Sequence, residues 1–385
     1  MLAIVKGKVL TMAGRVIDSG VVLVEGSTIV AVGALGEAGV AIPPETEIVD
    51  ASGKIVMPGL IDAHCHVGVA EEVYREEGDD TNEMTDPVTP HLRALDGIDP
   101  ADLGFQDALD GGVTTVATGP GSANVIGGQA IVMKTWGVVV DDMVVRAPAG
   151  LKVAFGENPK RVYGQQKKMP STRMGTAALL REALVKAQHY LEKQENPDPE
   201  KRPERDLKME ILVSVLKKEI PLRAHAHRAD DIATAIRIAE EFNVDLVIEH
   251  CTEGHKIGDF LAAHGKPAVV GPLLTNRSKV ELKDRTAATP AILHAAGVKV
   301  ALMTDHPVIP LNYLSLCAAL AVKEGLPEEE ALKAITINSA EILGLGHRLG
   351  SLEPGKDADI IILNGNLLDI QTRVEQVYIE GRRVR

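Results

Sequence analysis

The stretch of sequence that decides the fold is Pro58-Gly59-Leu60-Ile61-Asp62-Ala63-His64-Cys65-His66. The apolar run over residues 54–61 predicts a buried strand, and two histidines spaced i, i+2 follow it. On a strand, this spacing places both imidazoles on one face, about 7 Å apart at Cα. Two neutral imidazoles that converge at a strand end form half of a metal site. The alternative is a pair of hydrogen-bonded histidines.

Composition limits the kind of protein that this sequence encodes. Its 385 residues suffice for one large α/β barrel with a small accessory domain, or for two to three ordinary domains. The net charge of −13 and an aromatic content of 3% argue against nucleic-acid binding. The sequence shows no signal-peptide pattern and no apolar run of transmembrane length, and its three cysteines are too few for a disulfide framework. We therefore expect a cytoplasmic enzyme.

The two ends of the chain carry short strand-like runs separated by glycines. Residues 1–50 predict a meander of short strands, and residues 359–363 and 374–379 predict two more. Neither end is long enough to bury a core alone. We expect residues 1–53 and 350–385 to form one small β-sandwich domain from both termini.

Between the termini, strand-like and helix-like stretches alternate, which predicts a parallel sheet with helical crossovers. The predicted strands are residues 54–61, 113–117, 151–155, 222–225, 246–249, 268–270 and 298–303, with an eighth within residues 131–140, where the pattern resembles an inserted hairpin. The expected fold class is α/β, with a (β/α)8 TIM barrel over residues 54–349.

Polar residues follow several of these strands at the same end. The fifth strand runs into His225-Ala226-His227, the sixth ends at His250, and the last ends at Asp305. In such barrels, reacting groups collect at the carboxyl ends of the strands. Imidazole nitrogen and carboxylate oxygen are ligands of zinc and similar divalent ions. Such an ion lowers the pKa of bound water from about 16 to about 7, and Asp305 is placed both to bind the ion and to transfer the proton.

Together these residues resemble the amidohydrolase superfamily of metal-dependent hydrolases. Residues 58–66 match its Pro-Gly-x-Ile-Asp-x-His-x-His motif, and residues 350–359 resemble its return into the small β-domain. The resemblance implies that the metal ligands are His64, His66, His225, His250 and Asp305. His-Ala-His on strand five and Ile-Glu-His on strand six are most similar to the imidazolonepropionase-like and cyclic-amidase-like branch. Zinc is the expected ion, with manganese and iron as alternatives.

Whether one or two ions bind depends on the fourth strand, since binuclear members of the superfamily use a bridging carboxylated lysine or a glutamate. Leu151-Lys152-Val153-Ala154-Phe155 resembles the context of the carboxylated lysine, which favours Lys152. Glu157, at the end of the same strand, is the alternative bridge. Lys152 could also be an ordinary lysine with its charge directed to solvent.

Further residues are candidates for contact with substrate. His227 shares a strand face with His225, and His306 follows Asp305 as in cyclic amidases resembling dihydroorotase. Asn124 and Gln129 belong to a glycine-rich run that follows the second strand and could face a ligand. Arg161 and Tyr163 belong to a segment with several basic residues that could bind an anionic substrate. An ordinary flexible loop and a solvated charge cluster are the alternatives.

The sequence thus predicts a metal-dependent hydrolase of a carbon–nitrogen bond in a cyclic amide or related amide, with Asp305 as general base and then general acid. A deaminase of an amino-heterocycle, a metallo-dipeptidase and a non-catalytic scaffold remain alternatives. The expected partner is a small-molecule substrate rather than a nucleic acid or a membrane, and homo-oligomers are an open possibility.

Overall fold

The computed structural model describes residues 1–37, 40–73 and 76–385, which contain two eight-stranded sheets. The strands, numbered in chain order, are β1 Leu2–Leu10, β2 Val16–Glu25, β3 Thr28–Ala34, β4 Glu47–Asp50, β5 Ile55–Pro58, β6 Leu60–Cys65, β7 Val113–Thr118, β8 Ile126–Lys134, β9 Val144–Ala154, β10 Leu222–Ala226, β11 Leu246–His250, β12 Ala268–Val270, β13 Val300–Leu302, β14 Ile360–Leu363, β15 Val374–Ile379 and β16 Arg382–Arg383. The helices are α1 Leu103–Asp110, α2 Val140–Met143, α3 Glu157–Gln165, α4 Arg173–Gln194, α5 Leu207–Leu216, α6 Ala229–Glu241, α7 Gly258–Ala263, α8 Thr289–Ala295, α9 Leu314–Lys323, α10 Glu328–Ala334 and α11 Ile337–Ile342.

Strands β6 to β13 form the barrel and follow one another around it in chain order. The last strand returns to the first, where the N–H of His66 donates to the carbonyl of His306 (2.8 Å) and the N–H of Asp305 to that of His64 (3.3 Å). The expected α/β barrel fold is confirmed. Its core is the large apolar cluster between the strands and the surrounding helices.

One strand departs from the regular (β/α)8 pattern. Strand β8 pairs antiparallel with both β7 and β9, whereas the other neighbours in the barrel are parallel. Parallel neighbours need a crossover of about a dozen residues or more. Segments 119–125 and 135–143 are shorter than that, so the chain reverses direction at each. The hairpin expected near residues 131–140 is this reversal, and the strand itself begins earlier, at Ile126.

The terminal sheet has the order β16-β15-β14-β5-β1-β2-β3, with β4 added beside β1. It joins both ends of the chain, as expected for the small β-domain. Its strands form one continuous hydrogen-bonded sheet, and apolar residues from β1, β2, β14 and β15 pack into one core. Among residues 1–37, 40–73 and 76–385, no helix combines the length and hydropathy that a membrane span requires.

The apolar run that we expected to be one strand is divided at Gly59. Strand β5 pairs with β1 and β14 in the terminal sheet, and β6 starts the barrel directly after it. A Cβ on Gly59 would lie 2.1 Å from Oγ1 of Thr114. Only glycine therefore fits at this crossing, the point where the chain passes from the terminal sheet into the barrel. The first barrel strand is therefore continuous with the terminal sheet.

A buried ion pair also joins the barrel to the C-terminal segment. Nζ of Lys134, at the end of β8, is 2.8 Å from Asp357 and 2.5 Å from Asp359. Burial alone would lower the pKa of Lys134, but the two carboxylates raise it, so the lysine stays charged. Asp357 is further bound by Arg348.

We predict that Lys134→Met lowers the free energy of unfolding by about 3 kcal/mol, because removing one partner leaves buried carboxylates with less compensation. Thermal denaturation followed by circular dichroism measures the effect as a lower midpoint. The control is Lys186→Met, which removes an exposed pair with Glu182 and should cost less than about 0.5 kcal/mol. Equal midpoints for the two variants would contradict the prediction.

Candidate metal centre

The side chains expected to bind metal lie together at one end of the barrel, where the carboxyl ends of its parallel strands meet. They come from β6, β9, β10 and β11 and from the segments after β6 and β13, and are His64, His66, Lys152, His225, His250 and Asp305. This is the end at which barrel enzymes carry their reacting groups.

The first part of the cluster surrounds Asp305. Its Oδ1 lies 3.4 Å from Nε2 of His64 and 3.5 Å from Nε2 of His66. Nδ1 of His66 is 2.8 Å from the carbonyl oxygen of Gly119, which can only accept, so the ring proton is on Nδ1. Nε2 of His66 therefore presents a lone pair toward Asp305, the orientation that a metal ligand requires.

The second part consists of His225, His227 and His250. One ligand atom from each lies within 4.8 Å of the others, and the same holds for His64, His250 and Asp305. The His250 ring centroid is 4.3 Å from that of His225 and 4.5 Å from that of His227. His250 is thus common to both groups and connects the two halves of the centre.

Unpaired buried atoms test whether these residues fit a cation. Within the described residues, both ring nitrogens of His225 and Nε2 of His227 are buried without a hydrogen-bond partner. Such an atom costs about 1–3 kcal/mol, and a cation bound by the nitrogen lone pairs would remove part of that cost. Imidazole nitrogens and a carboxylate are also the donors that zinc and related ions prefer. The residues present fit a divalent metal.

The protonation states suit metal binding. Burial lowers the pKa of His225, His227 and His250 well below its usual value, so the three rings are neutral, as ligands must be. Burial would raise the pKa of Asp305, but the neighbouring imidazoles of His250, His64 and His66 hold it well below its usual value. Asp305 is therefore ionised.

Three residues at the ends of β11 and β13 have a left-handed backbone conformation. His250, Cys251 and Asp305 have φ values of +69°, +50° and +56°, in the left-handed region that non-glycine residues seldom adopt. Each such residue costs on the order of 1 kcal/mol and persists where the surroundings fix it. These strained positions coincide with the cluster of candidate ligands.

A buried ionic network lies directly behind His64, and the sequence analysis missed most of it. Oε1 of Glu249 is 3.2 Å from Nδ1 of His64 and accepts from Nε of Arg223 at 2.8 Å. Lys152 is ion-paired with the same carboxylate, and its Nζ lies 3.3 Å from Nε2 of His64. The sequence does place two charged residues, Arg223 and Glu249, within the otherwise apolar strands β10 and β11, and this pattern could have indicated a buried ion pair.

Asp62, the aspartate of the first-strand motif, connects the first barrel strand to the end of the last one. Its Oδ1 accepts from the N–H of His64 (3.0 Å), and its Oδ2 accepts from the N–H (3.0 Å) and Oγ1 (2.5 Å) of Thr304. Burial raises its pKa to about 6, an effect that these hydrogen bonds oppose. Asp62 therefore fastens β6 to the end of β13 and sets His64 beside Asp305.

Glu157 lies outside both ligand groups. Its Oε2 accepts from the N–H of Glu281 (3.2 Å), and Oε2 of Glu281 accepts from the N–H of Glu157 (3.0 Å). Glu281, which the sequence did not indicate, has its Oε1 3.5 Å from Nε2 of His227 and 3.9 Å from Nε2 of His225. The carboxylate of Glu157, the alternative bridge, is engaged in this reciprocal pair of hydrogen bonds.

Asn124 and Tyr163, expected to bind substrate, instead bind each other. The Tyr163 hydroxyl donates to Oδ1 of Asn124 at 2.5 Å, and Nδ2 of Asn124 donates to the carbonyl of Glu83 and Oγ1 of Thr89. Tyr163 is fully buried. These contacts join α3 to the preceding loops and leave neither side chain free for a ligand.

The other predicted contact residues occupy different surroundings. Gln129 donates to the carbonyls of Pro90 and His91, and Arg161 is exposed to solvent. Nδ1 of His227 is 2.7 Å from Oγ1 of Thr252, which orients the ring within the cluster. The His306 ring is buried against the first turn of α1, and burial lowers its pKa to about 4.

Comparison with known proteins agrees with this geometry. The model of the amidohydrolase family matches residues 55–384. An amidohydrolase, tasK, of Hapsidospora irregularis is 31% identical over 88% of this chain, which spans 37% of that protein's length. An imidazolonepropionase of Geobacillus thermodenitrificans is 25% identical, with 91% of this chain and 85% of that protein aligned.

A solved structure of an amidohydrolase from Thermotoga maritima superposes on the whole chain with a TM-score of 0.96 and is 50% identical, with 100% of both chains covered. The chain therefore belongs to the amidohydrolase family, as the motifs of the first strand and the C-terminal segment predict.

We predict that His250→Ala lowers bound metal more than His227→Ala, because His250 belongs to both ligand groups and His227 to one. Metal per chain is measured by plasma mass spectrometry on protein purified without chelators. His264→Ala is the control, since His264 lies on the surface beside Glu240 and should keep the wild-type content. Unchanged metal in His250→Ala would rule out the proposed centre.

Proposed function

We propose that the protein is a metal-dependent hydrolase that cleaves a carbon–nitrogen bond in a cyclic amide or a related amide. The observation that carries the proposal is that two groups of histidines converge at one end of the barrel, one of them together with an ionised Asp305, and that His250 is common to both groups. We propose zinc as the ion, held by His64, His66, His225, His250 and Asp305, with manganese and iron as alternatives.

The bound ion would supply Lewis acidity and a water of lowered pKa. The residues of the chain account for the other requirements. Asp305, which is ionised, accepts the proton of the attacking water and returns it to the departing nitrogen. His227, with Nδ1 fixed by Thr252, has its buried Nε2 available to contact the scissile carbonyl oxygen. His306 packs behind Asp305, and we assign it to positioning of that segment.

Asp305→Asn should keep the fold and lower kcat by several orders of magnitude, because the amide accepts no proton and binds the ion weakly. Steady-state kinetics with the best substrate found, together with circular dichroism, measure both effects. Asp259→Asn, an exposed residue on α7, should leave kcat unchanged. A kcat for Asp305→Asn within tenfold of wild type would contradict the mechanism.

Lys152 is the proposed bridge in a two-ion centre, where a carboxylated lysine would connect both groups of ligands. The alternative is a one-ion centre in which Lys152 remains an ammonium paired with Glu249. Lys152 lies 3.3 Å from His64, close enough for the bridging role.

We expect about two equivalents of metal in the wild type and about one in Lys152→Met. Glu157→Gln tests the other bridge and should keep both equivalents, since Glu157 is held by Glu281. Loss of metal in Glu157→Gln but not in Lys152→Met would identify Glu157 as the bridge. One equivalent in all three proteins would establish the one-ion centre.

Two other reactions use the same groups. An activated water with Asp305 can attack the amino-bearing carbon of a heterocycle, which is deamination, or the peptide carbonyl of a dipeptide. Rates on cyclic imides, aminopurines and dipeptides distinguish the three. A protein that takes up neither zinc nor manganese would be a scaffold without catalysis.

A further inference from the structure

A small cavity opens beside His250 at the mouth of the barrel. Its walls include His250, Gly271, Leu273, Arg285, Thr286 and Thr289, and its volume is about 20 Å³. A single water requires about 10–15 Å³ measured in this way. The cavity therefore has room for one small terminal group of a larger ligand.

Arg285 is the charged residue of this cavity, and its donors are poorly satisfied. Its Nη1 donates to the carbonyl of Leu273 at 3.3 Å, a long hydrogen bond. Its Nε is buried and has no partner among the described residues. The neighbouring carboxylate, Asp284, is paired with Lys256 instead. A guanidinium with an unpaired buried N–H is costly unless a ligand accepts from it.

The remaining wall residues are also suited to an anion. No acidic side chain is among the described residues that line the cavity. Oγ1 of Thr286 accepts from the N–H of Ala288 at 3.2 Å, and its own hydrogen is left for an acceptor in the cavity. Nδ1 of His250 lies 3.1 Å from the carbonyl of Gly271, so the ring is fixed at the boundary between the cavity and the metal centre.

We propose that Arg285 is a specificity-determining residue that binds an anionic oxygen group of the substrate, and that this group is a carboxylate. The inference rests on the proposed hydrolase function and narrows its substrates to amides that carry a free carboxylate. The planar fork of a guanidinium matches the two oxygens of a carboxylate. A phosphate shares this chemistry, but the small volume favours a carboxylate.

Arg285 lies at a different place in the barrel from the basic residues that the sequence indicated as the anion-binding group. The basic residues after the fourth strand include Arg161, which is exposed to solvent on α3. Arg285 instead lies after the seventh strand, beside a proposed metal ligand.

The first test uses two matched pairs of probes, 5-oxoproline against 5-oxoprolinamide and glycyl-proline against glycyl-prolinamide. The wild type should prefer the carboxylate member of a pair that it hydrolyses. In Arg285→Met the ratio of kcat/KM between the members should fall by about 10- to 100-fold, the usual effect of one charged hydrogen bond. Lys283→Met removes an exposed positive charge two residues away and should leave the ratio unchanged.

The second test measures binding and does not need turnover. Acetate should raise the Tm of the metal-loaded wild type more than acetamide does, and Arg285→Met should lose that difference while Lys283→Met keeps it. Inorganic phosphate distinguishes the other source of an anionic group, and a larger shift with phosphate than with acetate would overturn the carboxylate assignment.

Failures of the two proposals are distinguishable. If no probe is hydrolysed, the proposed reaction fails on these substrates, and the Tm difference still decides the role of Arg285. A wild type without preference for carboxylates, or an Arg285→Met variant with wild-type ratios and Tm shifts, would refute the inference.

Discussion

The arrangement of the candidate metal ligands depends on one buried carboxylate, that of Glu249. It is fully shielded from water and touches His64 of β6, Lys152 of β9 and Arg223 of β10. Burial alone would raise its pKa, but these partners hold it well below its usual value, so the charge persists inside the barrel. Consecutive strand residues normally face opposite sides. Glu249 and His250 nevertheless both approach His64, because the positive φ of His250 breaks the alternation. Glu249 therefore connects β11 to the side chain of His64 on β6.

Much of the site could be predicted from the sequence, because the residues that follow the strands of a parallel barrel lie together at one end of it. Two histidines at i, i+2 after an apolar run, and single polar residues after other such runs, meet at one end of any parallel barrel. The structure brings His64, His66, His225, His250 and Asp305 together as that rule predicts. Distances between strands are absent from the sequence, which is why Glu281 was missed and why Asn124 and Tyr163 were expected to face a ligand. Both residues follow barrel strands, but their polar groups form a hydrogen bond with each other.

The fold was predictable to a similar depth. The alternation of elements predicts the barrel, and the paired terminal strands predict the second sheet. The antiparallel course of β8 follows from connection lengths, which are visible in the sequence only once the strand bounds are known. The division at Gly59 had no sequence signal, since residues on both sides are apolar and a glycine within a strand is usually read as a bulge. Its cause is tertiary, namely the side chain of Thr114 against that backbone.

The crossing at Gly59 has a consequence for the order in which the protein assembles during synthesis. Strand β5 pairs with only two residues of β1 but with four residues of β14, which lies near the C-terminus. The strand that carries His64 follows β5 after that single glycine. The position of β6, the strand that carries His64, is thus completed by a strand that is synthesised after all the strands of the barrel. A nascent chain that has not yet reached β14 holds all the proposed metal ligands and still lacks the partner strand that fixes the position of His64 and His66.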